Sequence, residues 1–214
     1  MRGLIAVPHT GLFPYQFVVA WTQLLFCTRP MCEALDFTFI GSSLIYEARE
    51  QAAEKCVREG YDWLFFLDSD MEPRQDTIKR LLAWDKPIVS AMCFKRQQPY
   101  TPCFYPTVDY DGKTVKIQTV DEWTPGCAEV EGAGMACCLI RREVLEKTPR
   151  PWFFPMPILA EDLGFCKRAR EAGFSVHVDT TLCCGHVGNE VITDRHYLEY
   201  RRVSLANRDN AGQE

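Results

Sequence analysis

The sequence predicts an α/β domain in which a mostly parallel central sheet is flanked by helices. Short apolar runs alternate with helix-length segments up to residue 92, which is the pattern of an open sheet built from crossovers. One run, Tyr61–Leu67, is apolar almost throughout, as expected for a central strand covered on both faces. With 214 residues, the chain is long enough for one large domain with a sizeable core.

The elements before this run follow from their hydrophobic patterns. Gly3–Val7 is predicted to be a buried strand, and Asp36–Ile40 alternates as a second strand does. Tyr15–Cys27 has the length and the apolar face of a helix. Leu44–Glu59 is predicted to be another helix, because its apolar residues recur three or four positions apart and Gly60 supplies a C-terminal stop.

The elements after the central run begin regularly and then change character. Arg74–Trp84 is predicted to be a helix and Pro87–Met92 a strand. From Gln97 to Gly126, proline, tyrosine, threonine and glycine dominate, with a hairpin expected around Asp111-Gly112.

Regular patterning returns in the last third of the chain. Arg142–Lys147 and Glu161–Ala172 are predicted to be helices, and Ser175–Val178 a short strand. Residues 1–205 are expected to form the single domain. The polar segment 206–214 is expected to be a disordered tail.

Composition excludes several classes of protein. The 24 basic and 29 acidic residues give a net charge of −5, unlike a dedicated nucleic-acid coat protein. The 11 cysteines are an odd number and include no CxxC pair, so a zinc ribbon is not indicated. No secretory signal is visible, and the longest apolar stretch, Phe17–Cys27, is far shorter than the roughly 20 residues of a transmembrane helix. We expect a cytoplasmic protein that uses cysteines as small core residues.

The most informative segment is Leu64-Phe-Phe-Leu-Asp68-Ser-Asp70. Its two carboxylates follow the most hydrophobic strand, at the sheet edge where open α/β sheets bind ligands. Carboxylates at i and i+2 can face the same side and suit Mg²⁺ or Mn²⁺. The alternative is a pair of loop carboxylates that caps the next helix.

Two further segments carry candidate chemistry. Glu161-Asp162 begins a predicted helix, where the helix dipole favours acidic residues, but one carboxylate can also act as a general base. His186, in Cys183-Cys-Gly-His186, follows a strand-like run and precedes Gly188. It is either an ordinary polar loop residue or an imidazole ligand to the same ion.

Together these motifs resemble small GT-A-fold (Rossmann-like) glycosyltransferases, close to the family-2-like enzymes of phages and bacteria. The resemblance covers about residues 3–192 and lies in motifs that occur in family order. They are Val7-Pro-His-Thr, Ala48-Arg49, Asp68-Ser-Asp70, Lys86-Pro-Ile-Val-Ser, Phe94-Lys-Arg96, Val130-Glu-Gly132-Ala-Gly134, Glu161-Asp162 and Gly185-His186.

The resemblance implies a site for a divalent ion and a nucleotide-sugar, with a UDP-sugar as the expected donor. Asp68, Asp70 and His186 match the ligands of Mn²⁺ or Mg²⁺, and Asp68 also matches a ribose contact. Asp162 matches the catalytic base of inverting members, with Glu161 beside it. The positions that match the nucleotide and sugar pocket are Pro8, His9, Thr10, Arg49, Gly132 and Gly134. Lys95 or Arg96 can in addition stabilise the charge on the leaving diphosphate.

The implied activity is metal-dependent transfer of a sugar to an acceptor hydroxyl, with inversion. A glycan and a hydroxymethylated base in DNA are both open as acceptors, and the oligomeric state is also open. DNA requires that the basic residues form one face. These residues occur in four groups: Lys95-Arg96, Arg141-Arg142, Lys167-Arg168 with Arg170, and Arg201-Arg202.

Three other functions fit the sequence less well. A haloacid-dehalogenase-type phosphatase also has a DxD after a strand, but expects threonine or valine where this chain has Glu72. A nucleotidyltransferase of similar fold expects a glycine-rich basic loop after the first strand, which Pro8–Pro14 matches poorly. A non-catalytic binding module is expected to lack a member of the carboxylate and histidine set, and none is missing here.

Overall fold

Seven strands form the main sheet of this computed structural model, which describes residues 1–188 and 191–211. The strands in chain order are β1 (Arg2–His9), β2 (Ala34–Gly41), β3 (Trp63–Leu67), β4 (Met71–Glu72), β5 (Ile88–Met92), β6 (Phe104–Tyr105), β7 (Val108–Tyr110), β8 (Val115–Ile117), β9 (Cys127–Val130), β10 (Gly132–Ala133), β11 (Cys137–Arg141), β12 (Val176–Cys183), β13 (Gly185–Val187) and β14 (Val191–Ile192). The helices are α1 (Tyr15–Thr28), α2 (Ile45–Glu59), α3 (Thr77–Ala83), α4 (Arg142–Lys147), α5 (Glu161–Glu171) and α6 (Asp194–Ala211).

The main sheet has the order β2-β1-β3-β11-β5-β12-β9. Five of its strands run in one direction, while β11 and β9 run antiparallel to their neighbours. The predicted mixed α/β architecture with a mostly parallel sheet is therefore confirmed. The two antiparallel strands were not predicted, because each is a run of only four or five residues beside a glycine-containing loop.

The core lies in two layers, one on each face of the main sheet. Leu64 and Phe66 of β3 pack with α2, α4 and α5 on one face. Phe65 and Leu67 pack with α1 and α3 on the other face. Alternate side chains of a strand point to opposite faces, so a fully buried central strand must be apolar at every position, as β3 is.

Several boundaries differ from the sequence predictions. Strand β12 extends to Cys183 rather than ending at Val178, and α3 is shorter than the predicted Arg74–Trp84. The hairpin around Asp111-Gly112 is confirmed as β7–β8, with Gly112 at a φ of 90°. Helix α6 continues to Ala211, so the expected disordered tail is wrong for 206–211; residues 212–214 lie outside the described residues.

The topology gathers several chain segments at one edge of the main sheet. The parallel strands β1, β3 and β5 all end at this edge, where ligands bind in open α/β sheets. A second sheet, β14-β13-β4, begins directly after β3 and brings the region around residue 186 to the same place. Across residues 1–188 and 191–211, no helix is long and apolar enough to cross a membrane.

Candidate active site

The two aspartates of the DxD segment lie in a tight turn after β3. The Asp68 amide donates to the carbonyl of Ala136 at 2.8 Å, which continues the β3–β11 pairing. The Met71 amide then donates back to the Asp68 carbonyl at 3.1 Å, so the chain reverses between the two carboxylates. As a result, Asp68 and Asp70 have different partners.

Asp70 is brought next to His186 by strand pairing. Strand β13 runs antiparallel to β4 with His186 opposite Met71, and the Val187 amide donates to the Asp70 carbonyl at 2.7 Å. This register leaves Nε2 of His186 3.4 Å from Oδ2 of Asp70. These two members of the predicted ligand set therefore lie together.

The orientation of the His186 ring is fixed from behind by the backbone of Phe94. Its Nδ1 lies 2.8 Å from the Phe94 carbonyl oxygen, which can only accept, so Nδ1 carries the proton and donates. Burial acts to lower the pKa of His186, but the Asp70 carboxylate beside Nε2 outweighs it, and the pKa is raised. Burial acts to raise the pKa of Asp70, and His186 and Arg96 lower it overall.

Of the two neighbouring basic residues Lys95 and Arg96, Arg96 contacts the Asp70–His186 pair. Nη1 of Arg96 lies 3.1 Å from Oδ2 of Asp70, the same oxygen that faces His186. Lys95 is exposed, and its amide donates to the carbonyl of Thr101 at 3.0 Å. Arg96 thus meets the candidate metal site, while Lys95 points to solvent.

Asp68 is held by a buried arginine rather than by His186. Nη2 of Arg49 donates to Oδ2 of Asp68 at 3.0 Å, and its Nε lies 3.4 Å from Glu161 Oε1. Nη1 of Arg49 donates to the carbonyl of Met135 at 3.3 Å, and the guanidinium lies over the ring of Phe66. Burial acts to lower the pKa of Arg49, but the Asp68 and Glu161 carboxylates raise it overall. With its three nitrogens used by the protein, Arg49 ties β3 to the start of α5.

One oxygen of Asp68, Oδ1, accepts no hydrogen bond. It lies 3.0 Å from Arg49 Nη2 and is buried. A buried acceptor without a hydrogen bond is costly, so this atom is suited to a polar group of a bound ligand.

Asp162 occupies the first turn of α5, beside Glu161. Its Oδ1 accepts a hydrogen bond from the Leu163 amide at 2.7 Å. Burial, and next the negative charge of Glu161, raise the pKa of Asp162 from 3.8 to about 6. A carboxylate with a pKa near 6 is still ionised at neutral pH and binds a proton more strongly than an ordinary aspartate.

The two glycines of the predicted sugar loop are explained by close packing around α5. A Cβ on Gly132 would lie 2.6 Å from Cδ2 of Leu163, so a side chain there would require the Leu163 side chain to shift. A Cβ on Gly134 would lie 3.9 Å from Oδ2 of Asp162, which places this loop directly beside the candidate base.

The Pro8-His-Thr10 segment lies at the end of β1. Pro8 is a buried strand residue rather than the first loop residue, and Thr10 is exposed. The His9 ring packs 5.1 Å from that of Phe13 and 6.3 Å from that of Phe39, and its buried Nδ1 has no hydrogen-bond partner. The nucleotide-binding role predicted for these residues stays a prediction.

The protein offers two ligands for a metal ion at this edge. No group of three or more His, Cys, Asp or Glu side chains within the described ranges is arranged to hold an ion. Asp70 and His186 nevertheless suit Mg²⁺ or Mn²⁺, which commonly take one or two protein groups and complete their shell with waters and substrate phosphates. Asp68, the third predicted ligand, has its carboxylate turned to Arg49.

The carbonyl of Phe94 and that of Met135 are the site groups that the sequence did not indicate. Both are backbone atoms, so no residue pattern marks them. The cysteines, in contrast, form no disulfide, and most of them are buried or partly buried. All 11 are free thiols, and burial raises the pKa of Cys103 and that of Cys183 to about 12.

The candidate site lies outside the larger clefts of the surface. A cleft of about 760 Å³ is lined by residues of α1, by residues 72–74, by Thr181, Cys183 and Gly185, and by Val191 and residues 193–196. A second cleft, of about 640 Å³, lies between β7 and the end of α5. Neither is lined by Asp70, Asp162 or His186.

Comparison with known proteins identifies the fold. No protein-family model and no curated protein matches the chain. Among solved structures, A197 from STIV is 19% identical with a TM-score of 0.64, over 92% of each chain. GalNAc-T7, solved with UDP, GalNAc and Mn²⁺, is 10% identical with a TM-score of 0.60, over 87% of this chain and 44% of its own. UDP-glucose pyrophosphorylase, in its apo form, is 8% identical with a TM-score of 0.51, over 97% and 100%.

At these identities the likeness is one of fold alone. The chain has a mixed α/β, Rossmann-like fold, and two proteins that share it are the glycosyltransferase GalNAc-T7 and a UDP-glucose pyrophosphorylase. The fold class is thereby established, and the chemistry must be argued from the site.

Proposed function

We propose that this protein is a GT-A glycosyltransferase that moves a sugar from a UDP-sugar to an acceptor hydroxyl, with inversion and with a divalent ion. The proposal rests on two different groups, which are linked through Arg49, because this arginine pairs with both Asp68 and Glu161. One is the Asp70–His186 pair, 3.4 Å apart. The other is the partly buried carboxylate of Asp162, whose pKa is raised to about 6.

Asp70 and His186 would hold Mn²⁺ or Mg²⁺ through Oδ2 and Nε2. When bound, such an ion supplies electrostatic stabilisation to the leaving diphosphate. The donor set supports this assignment, because the Phe94 carbonyl keeps the proton on Nδ1 and leaves Nε2 as the available lone pair. Oδ1 of Asp68, which is ion-paired with Arg49 but makes no hydrogen bond, is suited to accept from a hydroxyl of the nucleotide or sugar.

Asp162 takes the proton in the proposed reaction. The acceptor oxygen forms a bond to the anomeric carbon, and the bond from that carbon to the diphosphate breaks with its electron pair on the leaving oxygen. The acceptor proton moves to the Asp162 carboxylate. A base with a pKa near 6 suits this step, since it is ionised at neutral pH and still accepts a proton well.

The binding test compares two aspartate variants. UDP with Mn²⁺ should raise the unfolding temperature of the wild type more than either alone, because a ligand that binds only the folded state stabilises it. Asp70→Asn should lose this joint effect. Asp85→Asn should keep it, because Asp85 is an exposed aspartate that pairs with Arg141 instead. Equal binding of UDP by Asp70→Asn would contradict the proposed metal role.

The activity test separates the proposed reaction from that of a nucleotidyltransferase. We expect slow, Mn²⁺-dependent release of UDP from a UDP-sugar in the absence of acceptor, and faster release with a glycan acceptor. Asp162→Asn should abolish transfer and keep the joint UDP and Mn²⁺ stabilisation. Formation of UTP from a UDP-sugar and pyrophosphate would instead identify a pyrophosphorylase and overturn the proposal.

A further inference from the structure

Two nitrogen groups converge on one oxygen of the candidate metal site. Oδ2 of Asp70 lies 3.1 Å from Nη1 of Arg96 and 3.4 Å from Nε2 of His186. This is the atom that the proposed function assigns to the divalent ion. Arg96 is therefore already paired with the oxygen that the divalent ion would have to approach.

The two cations cannot share this position. A guanidinium stays protonated in proteins, has no lone pair to offer a metal, and repels a divalent ion strongly at such a short distance. Binding of the ion to Oδ2 therefore requires Arg96 to move away.

Arg96 is free to make this movement, unlike the other arginine of the site. Its side chain is 51% exposed, and residues 95–99 around it are all exposed. The Lys95 amide and the Thr101 carbonyl hold the base of this segment, so the Arg96 side chain can swing out without unpacking the core. Arg49, in contrast, is 3% exposed and held by two carboxylates and a carbonyl.

We propose that Arg96 is a resident counter-cation of Asp70 that leaves the carboxylate when the divalent ion binds and then contacts the diphosphate of the donor. This inference rests on the proposed function. The planar guanidinium matches phosphate oxygens in a two-point hydrogen bond, so the diphosphate offers Arg96 a better anion than the one it leaves. Arg96 thereby opposes binding of the metal alone and favours binding of metal and nucleotide together.

The test measures Mn²⁺ and UDP affinities separately. Without nucleotide, Arg96→Ala should bind Mn²⁺ about two- to fivefold more tightly than the wild type, the range expected when a half-exposed ion pair is removed. Free Mn²⁺ can be followed by its electron paramagnetic resonance signal. With saturating Mn²⁺, the same variant should bind UDP about tenfold more weakly, because a charge-assisted hydrogen bond is lost.

Two further variants keep the test decisive. Arg96→Gln removes the charge but keeps much of the side chain, and should reproduce both changes. Arg58→Ala removes an exposed arginine that is ion-paired with Glu59 at the end of α2, and should change neither affinity.

The outcomes distinguish the two proposals. If the wild type binds Mn²⁺ and UDP jointly but Arg96→Ala and Arg96→Gln bind Mn²⁺ no more tightly than the wild type, the inference is overturned and the proposed function stands. If UDP affinity is also unchanged, Arg96 has no role at the diphosphate. If the wild type binds no Mn²⁺, both proposals are overturned.

Discussion

At the scale of single residues, the site separates its charges into two groups. Arg49 neutralises Asp68 and lies beside Glu161, while His186 and Arg96 surround Asp70. The pKa of Asp162 is not set mainly by a cation. Burial and the negative charge of Glu161 have the largest effects on it, and both raise it. The carboxylate proposed to accept the proton thus has a raised pKa, whereas the pKa of the candidate metal ligand Asp70 is lowered.

The raised pKa of Asp162 predicts how transfer depends on pH. The carboxylate must be ionised to accept the acceptor proton, so the rate should rise through a midpoint near pH 6 and then level off. Rates under limiting UDP-sugar between pH 5 and pH 8 measure this, with UDP and Mn²⁺ binding followed separately. A rate that is flat from about pH 5 upward would show that Asp162 is not the base.

The same pKa shift predicts that the free energy of unfolding falls as pH rises, whereas the transfer rate rises. Because the folded state binds this proton more tightly than the unfolded chain, Asp162 lowers the unfolding free energy as pH rises from about 4 to about 6, and the loss persists above pH 6. Asp162→Asn should therefore be more stable than the wild type at pH 7.5, by up to about 3 kcal/mol. The gain should shrink towards pH 4, which urea unfolding at both pH values measures.

At the scale of elements, the small sheet β14-β13-β4 positions the candidate metal ligand. Gly185 precedes His186 in β13 and lies between the two neighbouring strands. A Cβ added to Gly185 would lie 2.6 Å from Cγ1 of Val191 and 3.3 Å from Cβ of Glu72. Close strand packing, rather than a special backbone angle, requires glycine here.

Gly185→Ala should therefore disturb both the sheet and the site. We expect a loss of about 1–3 kcal/mol of unfolding free energy, the usual cost of overpacking, together with weaker Mn²⁺ binding. Gly164→Ala is the stability control, because its Cβ first meets the flexible end of Arg168 at 3.2 Å and alanine favours the α5 helix. Normal Mn²⁺ binding by Gly185→Ala would show that β13 does not set the position of His186.

At the scale of the whole molecule, most residues of the four basic groups noted in the sequence are ion-paired in the part of the chain that the structure describes. The net charge is −5, and six of the residues in the basic groups of the sequence are ion-paired. The pairs are Arg96 with Asp70, Arg141 with Asp85, Arg142 with Glu146, Lys167 with Glu171, Arg170 with Glu131, and Arg201 with Asp121 and Glu122. Arg168 donates instead to the carbonyls of Trp152 and Phe154. Ion pairing of these residues does not favour a DNA-binding face.

The charge distribution predicts weak interaction with nucleic acid. A short labelled DNA duplex should show no binding by fluorescence anisotropy at about 150 mM salt, since few lysines and arginines are available to replace the counterions of the phosphates. A steep dependence of binding on salt concentration would contradict this and favour a hydroxyl-bearing base in DNA as the acceptor.

Local patterns in the sequence determined the elements that carry the chemistry. The apolar run Tyr61–Leu67 predicted a buried central strand, and Asp68 and Asp70 follow it at the expected edge. The periodicity of Glu161–Ala172 predicted the helix whose first turn carries Asp162. These predictions depend on neighbouring residues alone, because strand burial and helix amphipathicity repeat over two and about 3.6 residues.

The tertiary structure alone decided how those elements combine. It inserted β11 antiparallel beside β3, paired β13 with β4 so that His186 meets Asp70, and turned Asp68 away from them towards Arg49. It also gave Asp162 its raised pKa, which arises mainly from burial. Strand register, burial and ion pairing join residues that are far apart in the chain, 112 positions in the case of Arg49 and Glu161, and no local pattern encodes such distances.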